Sequence, residues 1–178
     1  NYASVPDAAY WPTGNIDIRL DIAAVDWTPA AIVLLCDKWG SAGQRSWTFR
    51  LNTAGTLAFF TSADGTASTA GTSSVAPTVN DLGRICIGVR RNSATGAITF
   101  WTASDFSGTW TQLGTSTTNT AGAIFDSTAT VTLGADAGDT GNRFNGNYYR
   151  AQIRNNILDD GTGIVFDSNF SLPAKLAP

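Results

Sequence analysis

One stretch of the sequence decides the fold class: Ile16-Asp17-Ile18-Arg19-Leu20-Asp21-Ile22. Every even position is apolar and every odd position is charged. Successive side chains of a β-strand point to opposite faces, so this alternation predicts a strand with one face in a core and the other in water. We therefore expect the four apolar residues to be buried together. The three charged residues, Asp17, Arg19 and Asp21, are expected to be exposed.

The same two-residue period recurs along the chain between clusters of Gly, Asn, Asp, Ser and Thr, and no segment follows the 3.6-residue period of a helix. Further strands are predicted at residues 31–39, 46–52, 56–62, 83–91, 97–103, 109–114, 130–134, 148–155 and 163–170. The low-complexity stretch 66–80 is predicted to hold either one short edge strand or a long loop. Many short strands with tight turns predict an all-β, two-sheet antiparallel sandwich.

The length of 178 residues, without an internal repeat or dividing linker, predicts one domain spanning residues 1–178. Residues 172–178 contain two prolines and are expected to form an exit segment into another domain or a frayed end. The chain contains no Met, so we expect it to be part of a larger polypeptide or the product of processing.

Composition excludes most catalytic chemistry. The chain has no His, and its 14 acidic residues are all Asp. Without His there is no Ser-His-Asp or Cys-His nucleophile system, and the most plausible enzyme alternative is an Asp-dependent glycoside hydrolase. We therefore expect no enzyme. The net charge of −3 argues against nucleic acid as a partner, and the lack of a run of ~18 apolar residues argues against membrane insertion.

The two cysteines, Cys36 and Cys86, lie within apolar strand-like runs. Small disulfide-stapled scaffolds usually carry more cysteines, which favours buried free thiols here. A disulfide that closes a long loop is the alternative. Neither thiol has a His partner, so a catalytic thiol is not expected.

One predicted hairpin contains a candidate ligand site. Aromatic rings flanked by charged donors and acceptors suit sugars, which offer apolar C–H faces and a rim of hydroxyl groups. The candidate glycan-binding residues are Asp37, Trp39, Arg45 and Arg50. The hairpin must also supply core residues: Trp47 and Phe49 alternate inwards, whereas Thr48 and Arg50 face outwards. For Trp39, a core position and an exposed platform are both open.

Two other polar clusters are predicted to be structural. Residues 104–110 read Ser-Asp-Phe-Ser-Gly-Thr-Trp and are similar to the Asp-box hairpin of sialidases, in which the Asp accepts backbone N–H bonds and the Trp packs beneath. Asp159 and Asp160 are the one adjacent acidic pair. Neighbouring side chains of an extended chain point to opposite faces, so we interpret the pair as turn residues and not as an acid/base pair.

Several segments, in their order along the chain, resemble laminin-G-like and concanavalin-A-like jelly-roll domains. Residues 2–7 resemble the opening strand of that family, which runs antiparallel beside the last strand. The hairpin with Lys38-Trp39 and the run from Gln44 to Phe49 resembles the following strands, and residues 144–155 resemble the penultimate strand that begins at a Phe-x-Gly turn. The resemblance implies a jelly roll in which residues 4–6 pair with, or lie beside, residues 164–167. The Glu-x-Asp-x-x-Glu strand of related glycosidases cannot be built without Glu.

The Lys-Trp, Gln-Arg-Ser-Trp and Tyr-Arg-Ala-Gln-Ile-Arg-Asn segments look most like domains of tailed-bacteriophage virion proteins. This resemblance implies a non-catalytic carbohydrate-binding or attachment module of a virion or cell-surface protein, outside the cell or on the virion surface. Its partners would be a glycan or other virion proteins. The alternative is a structural capsid or tail decoration domain without a small ligand.

The loop at residues 134–146 contains a candidate metal site. Laminin-G-like domains often bind one calcium near the rim of the sandwich, and Asp136, Asp139 and Asn142 offer oxygen ligands in this loop. The EF-hand spacing is absent and only two carboxylates are close together. Asp and Asn are also good turn formers, so turn chemistry is favoured and a Ca²⁺ site is the alternative.

Overall fold

The computed structural model describes residues 2–135, 141–159 and 161–170. Within them the chain forms thirteen β-strands and no helix, and hence no helix that is long and apolar enough to cross a membrane. The strands are β1 (Ala3–Val5), β2 (Ile16–Ala24), β3 (Val33–Trp39), β4 (Arg45–Leu51), β5 (Leu57–Thr61), β6 (Thr69–Thr72), β7 (Arg84–Arg91), β8 (Ala97–Ala103), β9 (Thr111–Gln112), β10 (Thr117–Thr118), β11 (Val131–Leu133), β12 (Gly146–Arg154) and β13 (Ile164–Asn169).

The strands form two antiparallel sheets that pack face to face. The first sheet has the order β1-β11-β3-β4-β5-β6, and the second has the order β10-β8-β7-β2-β12-β13, with β9 beside β8. Every strand pair of the described residues is antiparallel. The predicted two-sheet antiparallel sandwich is confirmed.

The core lies between the two sheets and is built from alternate residues of the central strands. Ile16, Ile18, Leu20 and Ile22 of β2 are all completely buried, which confirms the predicted inward face of this strand. The first sheet contributes Trp47, Phe49 and Phe59, and the second contributes Phe100. The rings of Phe49 and Phe100 stack with centroids 6.4 Å apart and join the two layers.

Most predicted strands are present with ends that differ by up to two residues. The stretch 66–80 contains the short edge strand β6, and the strand predicted at residues 109–114 is reduced to β9. Strand β10 was not predicted, because two residues are too few to show a period.

The outer face of β2 corrects one prediction: Asp17, Arg19 and Asp21 are buried. They point away from the core, as predicted, but two other parts of the chain cover them. The turn around Trp110 places its ring 5.1 Å from the guanidinium carbon of Arg19, and the carboxylate of Asp159 accepts a 2.5 Å hydrogen bond from the same guanidinium. The charges are accommodated because each has a partner: Asp17 pairs with Arg19 and Arg90, and Asp21 pairs with Arg84.

We predicted that residues 4–6 pair with, or lie beside, residues 164–167, and of these two arrangements the pairing is wrong. Strand β1 pairs with β11, with Ser4 opposite Thr132, at the edge of the first sheet. Strand β13 pairs with β12 at the edge of the second sheet, because the short connection after β12 brings it back on that side. Residues near the two ends of the described part of the chain nevertheless lie close together, since Tyr2, Ala3 and Phe170 line one pocket of about 270 Å³.

Cys36 and Cys86 are buried free thiols on opposite sides of a sheet. Cys36 lies in the core between the sheets. Cys86 pairs in register with Asp21, whose side chain is on the outer face of the second sheet. A disulfide would have to pass through the sheet, so the favoured prediction of free thiols agrees with the geometry.

Candidate functional site

The predicted hairpin residues meet on the outer face of the first sheet. Strands β3 and β4 pair from Val33 opposite Leu51 to Trp39 opposite Arg45, and the register shifts between Lys38 and Trp39. This irregularity places Trp39 next to Arg45 at the open end of the hairpin. Arg50 reaches the same ring from further along β4.

Two guanidinium groups flank the indole ring of Trp39. The Cζ atoms of Arg45 and Arg50 lie 5.8 and 5.7 Å from the ring centroid, close to the outer limit of a cation–π contact. Trp39 is half-buried, so part of its surface faces solvent. Arg45 is held by a 2.5 Å hydrogen bond from its Nη1 to the carbonyl oxygen of Thr66. Arg50 Nε donates to Thr48 Oγ1 at 3.2 Å.

Phe60 completes this surface and was not among the predicted residues. It lies in β5, opposite Thr48 of β4, and the Arg50 Cζ is 4.3 Å from the centroid of the Phe60 ring. The sequence did contain the signal: Phe59 and Phe60 are consecutive in one strand, so one ring must point outwards when the other fills the core. We call the group Trp39, Arg45, Arg50 and Phe60 the Trp39 platform.

Asp37 corrects a second prediction. We expected its carboxylate at the rim of the site, but it is buried on the outer face of the sheet, in register with Thr48 and Thr132. Burial lowers the pKa of the Arg50 guanidinium from its ordinary value, and Asp37 opposes that shift by its charge. Asp37 is therefore buried near Arg50 and does not lie at the exposed rim that we predicted for it.

The candidate calcium residues Asp136 and Asp139 lie outside the described residues. Asn142 is described, with a left-handed backbone (φ +54°), and its carbonyl oxygen accepts a 2.8 Å hydrogen bond from the N–H of Leu34. Asn tolerates this backbone region better than most residues do, which agrees with turn chemistry. Among the residues of the three described ranges, no group of three or more His, Cys, Asp or Glu side chains lies close enough to hold a metal.

The turn at residues 104–110 has the predicted structural role. Asp105 Oδ1 accepts a 2.8 Å hydrogen bond from the N–H of Ser107 and a further bond from the Ser107 hydroxyl, and these bonds lower the pKa of the Asp105 carboxyl. Trp110 lies over the second sheet: a Cβ added to Gly88 would come within 3.1 Å of the indole ring. A side chain at position 88 would therefore displace the ring.

Of the adjacent pair Asp159 and Asp160, only Asp159 lies within the described residues. Its Oδ1 accepts 2.5 Å hydrogen bonds from Arg19 Nη2 and from Arg90 Nη2. Asp159 therefore does more than form a turn: it binds two guanidinium groups of the sheet beneath it. Sequence reasoning missed this role because Arg19 is 140 positions away.

No protein-family model matches the chain, and no curated protein sequence matches it. Solved structures do match. The carbohydrate-binding module CBM40 of the Ruminococcus gnavus IT-sialidase, in a complex with α2,3-sialyllactose, is similar with a TM-score of 0.60 and 13% identity, over 84% of this chain and 80% of that one.

Two further structures show the same likeness. A heptameric SAP-like pentraxin from Limulus polyphemus is similar with a TM-score of 0.56 and 11% identity, over 88% of this chain and 76% of that one. Tailspike protein 2 of an Escherichia coli O157:H7 bacteriophage is similar with a TM-score of 0.55 and 14% identity, over 86% of this chain and 21% of that one. At these identities the likeness shows the fold alone, a jelly-roll sandwich.

Proposed function

We propose that this domain is a non-catalytic glycan-binding module and that the Trp39 platform is its contact surface. The observation that carries the proposal is the half-buried indole ring between two guanidinium groups, with a second aromatic ring beside it. A pyranose stacks its C–H face on such a ring, and flanking Arg side chains donate hydrogen bonds to its hydroxyl groups. The fold is also that of a module solved with sialyllactose bound.

The carboxyl groups support a binding role over catalysis. A glycosidase needs one carboxyl with a raised pKa to act as the general acid. Here the pKa is lowered for four carboxyls, and hydrogen bonds contribute to each shift. The pKa of Asp64 is lowered to about 2 through the N–H of Thr66, that of Asp105 through Ser107, that of Asp167 through Arg150, and that of Asp159, against its burial, through Arg19 and Arg90. Such carboxyls are ionised at neutral pH and hold no proton to donate.

We extend the proposal to the setting of the module: it serves attachment within a larger virion or cell-surface protein, outside the cell. The likeness to a phage tailspike supports this setting, because the match covers only 21% of the tailspike chain and is therefore one part of a larger protein. The resemblance of the hairpin and of residues 144–155 to laminin-G-like virion domains supports it as well. A display domain without a small ligand is the competing function.

A glycan array probed with the purified domain, with and without EDTA, tests the proposal. We expect binding to a defined sugar class, and loss of the signal in EDTA would indicate a calcium-dependent site. Trp39→Ala should weaken binding about tenfold or more, with a melting temperature within a few degrees of the parent, because a half-exposed platform contributes little to the core.

The matched control is Tyr10→Ala, which removes an aromatic side chain that is 50% exposed and distant in sequence from the platform. This variant should bind as the parent does. A blank array would favour the display function. Full binding by Trp39→Ala would place the glycan elsewhere on the domain.

A further inference from the structure

A pocket lies on the outer face of the second sheet, on the sheet that does not carry the Trp39 platform. Its volume is about 380 Å³, within the range of small-ligand sites. The sheet contributes Arg19 from β2 and Arg154 from β12, the turn at residues 106–110 forms one wall, and Asp159 forms the other.

Positive charge exceeds negative charge beneath this pocket. Arg19, Arg90 and Arg154 are all buried, and within the described part of the chain their ion-pair partners are the carboxylates of Asp17 and Asp159, so three cations share two anions. The carboxylate of Asp167 also acts on Arg154 by its charge, but its ion-pair partner is Arg150. Burial lowers the pKa of Arg154 from its ordinary value, and the charge of Arg19 lowers it further. A buried cationic excess is relieved by an additional anion.

Of the three buried guanidinium groups beneath the pocket, Arg154 is the one that forms no ion pair with a carboxylate of residues 2–135, 141–159 and 161–170. Its Nε donates to Gln152 Oε1 at 2.7 Å, and its Nη1 is 3.5 Å from the carbonyl oxygen of Leu158, at the limit of a hydrogen bond. It lines the pocket beside Arg19, whose Nη2 already binds Asp159. A guanidinium with free donors at a pocket wall suits a carboxylate, which it binds through two parallel bonds.

Asp159 shows that the guanidinium groups beneath the pocket bind a carboxylate. One of its oxygens bridges Arg19 and Arg90 at 2.5 Å each, although its side chain is 59% exposed. A carboxylate on a surface loop thus enters the guanidinium cluster from the solvent side. The same route is open to the carboxylate of a ligand that lies in the pocket.

The aromatic wall adds a second recognition element. Trp110 is half-buried with its ring over Gly88, and Phe106 meets it edge-on with centroids 5.9 Å apart. Both rings line the pocket. An aromatic wall beside guanidinium groups fits a ring with apolar C–H faces that bears an acidic group.

We propose that this pocket is a second binding site, separate from the Trp39 platform, and that it takes an acidic sugar unit whose carboxylate binds Arg154 and Arg19 while its ring lies against Trp110. The proposal does not depend on the platform. The competing explanation is that the same contacts only hold the 106–110 turn and the Asp159 loop on the sheet.

Titration calorimetry with trigalacturonate, its methyl ester and sodium sulfate tests the proposal, together with the indole N–H resonance of Trp110 in NMR spectra. We expect trigalacturonate to bind and to shift that resonance, and the methyl ester and sulfate to bind about tenfold more weakly or not at all. Equal binding of acid and ester, or sulfate binding as tight as that of trigalacturonate, would overturn the proposal.

Variants separate binding from a structural role. Arg154→Gln should weaken trigalacturonate binding about tenfold or more, and Asp159→Asn should strengthen it, because it removes a negative charge that competes for the same guanidinium groups. A purely structural network predicts no gain for Asp159→Asn, so unchanged or weaker binding by that variant would count against the site.

Two controls complete the test. Arg84→Gln removes a positive charge from the outer face of the same sheet without touching the pocket, and it should change the affinity less than about twofold. Trp39→Ala should leave trigalacturonate binding intact. If Trp39→Ala abolishes trigalacturonate binding and Arg154→Gln does not, the acidic sugar binds at the platform and the second site is wrong.

Discussion

Asp17 and Arg19 form an ion pair on the outer face of β2, with 2.7 Å between Oδ2 and Nη2, and both side chains are less than a tenth exposed. Arg90 also donates to the same carboxylate oxygen, at 3.2 Å. One carboxylate therefore compensates two buried cations. Removing one partner of a buried pair leaves the other charge unpaired in a region of low dielectric constant, which is strongly destabilising.

Asp17→Asn should lower the free energy of unfolding by about 3 kcal/mol, because Arg19 and Arg90 would then share only Asp159. Urea denaturation measures the change. Asp126→Asn, at an exposed position, is the control and should alter stability by less than about 0.5 kcal/mol. A loss below about 1 kcal/mol for Asp17→Asn would show that solvent reaches the pair.

Lys38 is a fully buried amine that joins three segments. Its Nζ binds Asp7 Oδ1 at 2.7 Å, the carbonyl oxygen of Ala129 at 3.2 Å and the carbonyl oxygen of Ser127. Lys38→Met keeps the apolar stem but leaves two carbonyl groups without their donor, so we expect a loss of about 2 kcal/mol.

Faster amide hydrogen exchange around Ser127 should accompany that loss. Asp7→Asn removes the ion pair and leaves the hydrogen bonds from Lys38 to the carbonyl groups in place. Because Asp7 is partly exposed, this change should lower the free energy of unfolding by less than about 1 kcal/mol. Equal losses for the two variants would mean that the ion pair, and not the carbonyl capture, dominates.

The two thiols should be unreactive in the folded domain. Burial raises the pKa of Cys86 to about 12, and burial raises that of Cys36 well above its ordinary value. The thiolate is the reactive form, so Ellman's reagent at pH 8 should modify neither thiol until the domain is unfolded. Rapid modification of one equivalent in the native state would contradict this burial.

The raised pKa values of the two thiols make the stability of the domain depend on pH. Unfolded thiols ionise near pH 8.5, whereas the folded thiol of Cys86 keeps its proton up to about pH 12. The unfolded state therefore releases protons first, and stability should fall as the pH rises above about 8.5. Cys86→Ala should show a shallower fall between pH 8.5 and 11 in urea titrations than the parent does.

Substitutions at two glycines with positive φ distinguish the energetic cost of backbone strain from that of a steric clash. Gly96 has φ +72°, and an added Cβ would lie 2.2 Å from the carbonyl oxygen of Asn119, whereas Gly43 has φ +90° with nothing within 4 Å. Gly43→Ala should cost about 1 kcal/mol from strain alone. Gly96→Ala should cost about 3 kcal/mol or more, because the backbone of the segment at Asn119 must also move. Equal losses, measured by thermal unfolding, would refute the steric contribution.

Local patterns predicted what lies within one strand or one hairpin. The alternation of residues 16–22 correctly predicted which side chains of β2 enter the core, since the period of a strand is a property of its backbone. Trp39, Arg45 and Arg50 lie close together, as the short hairpin that joins them leads one to expect, whereas their role as a ligand site stays a prediction. Phe60 was missed because it comes from the next strand, and only the register of β5 against β4 shows that it reaches Arg50.

The sequence by itself determined the strand period, the all-β class and, through the absence of His and Glu, the narrow range of possible catalysis. Each of these is a local or compositional property. Only the tertiary structure decided that β1 pairs with β11, that Asp17 and Arg19 are covered, and that Asp159 bridges Arg19 and Arg90. The physical reason is that the direction of a side chain follows from the local backbone, whereas its exposure depends on segments far along the chain that fold over it.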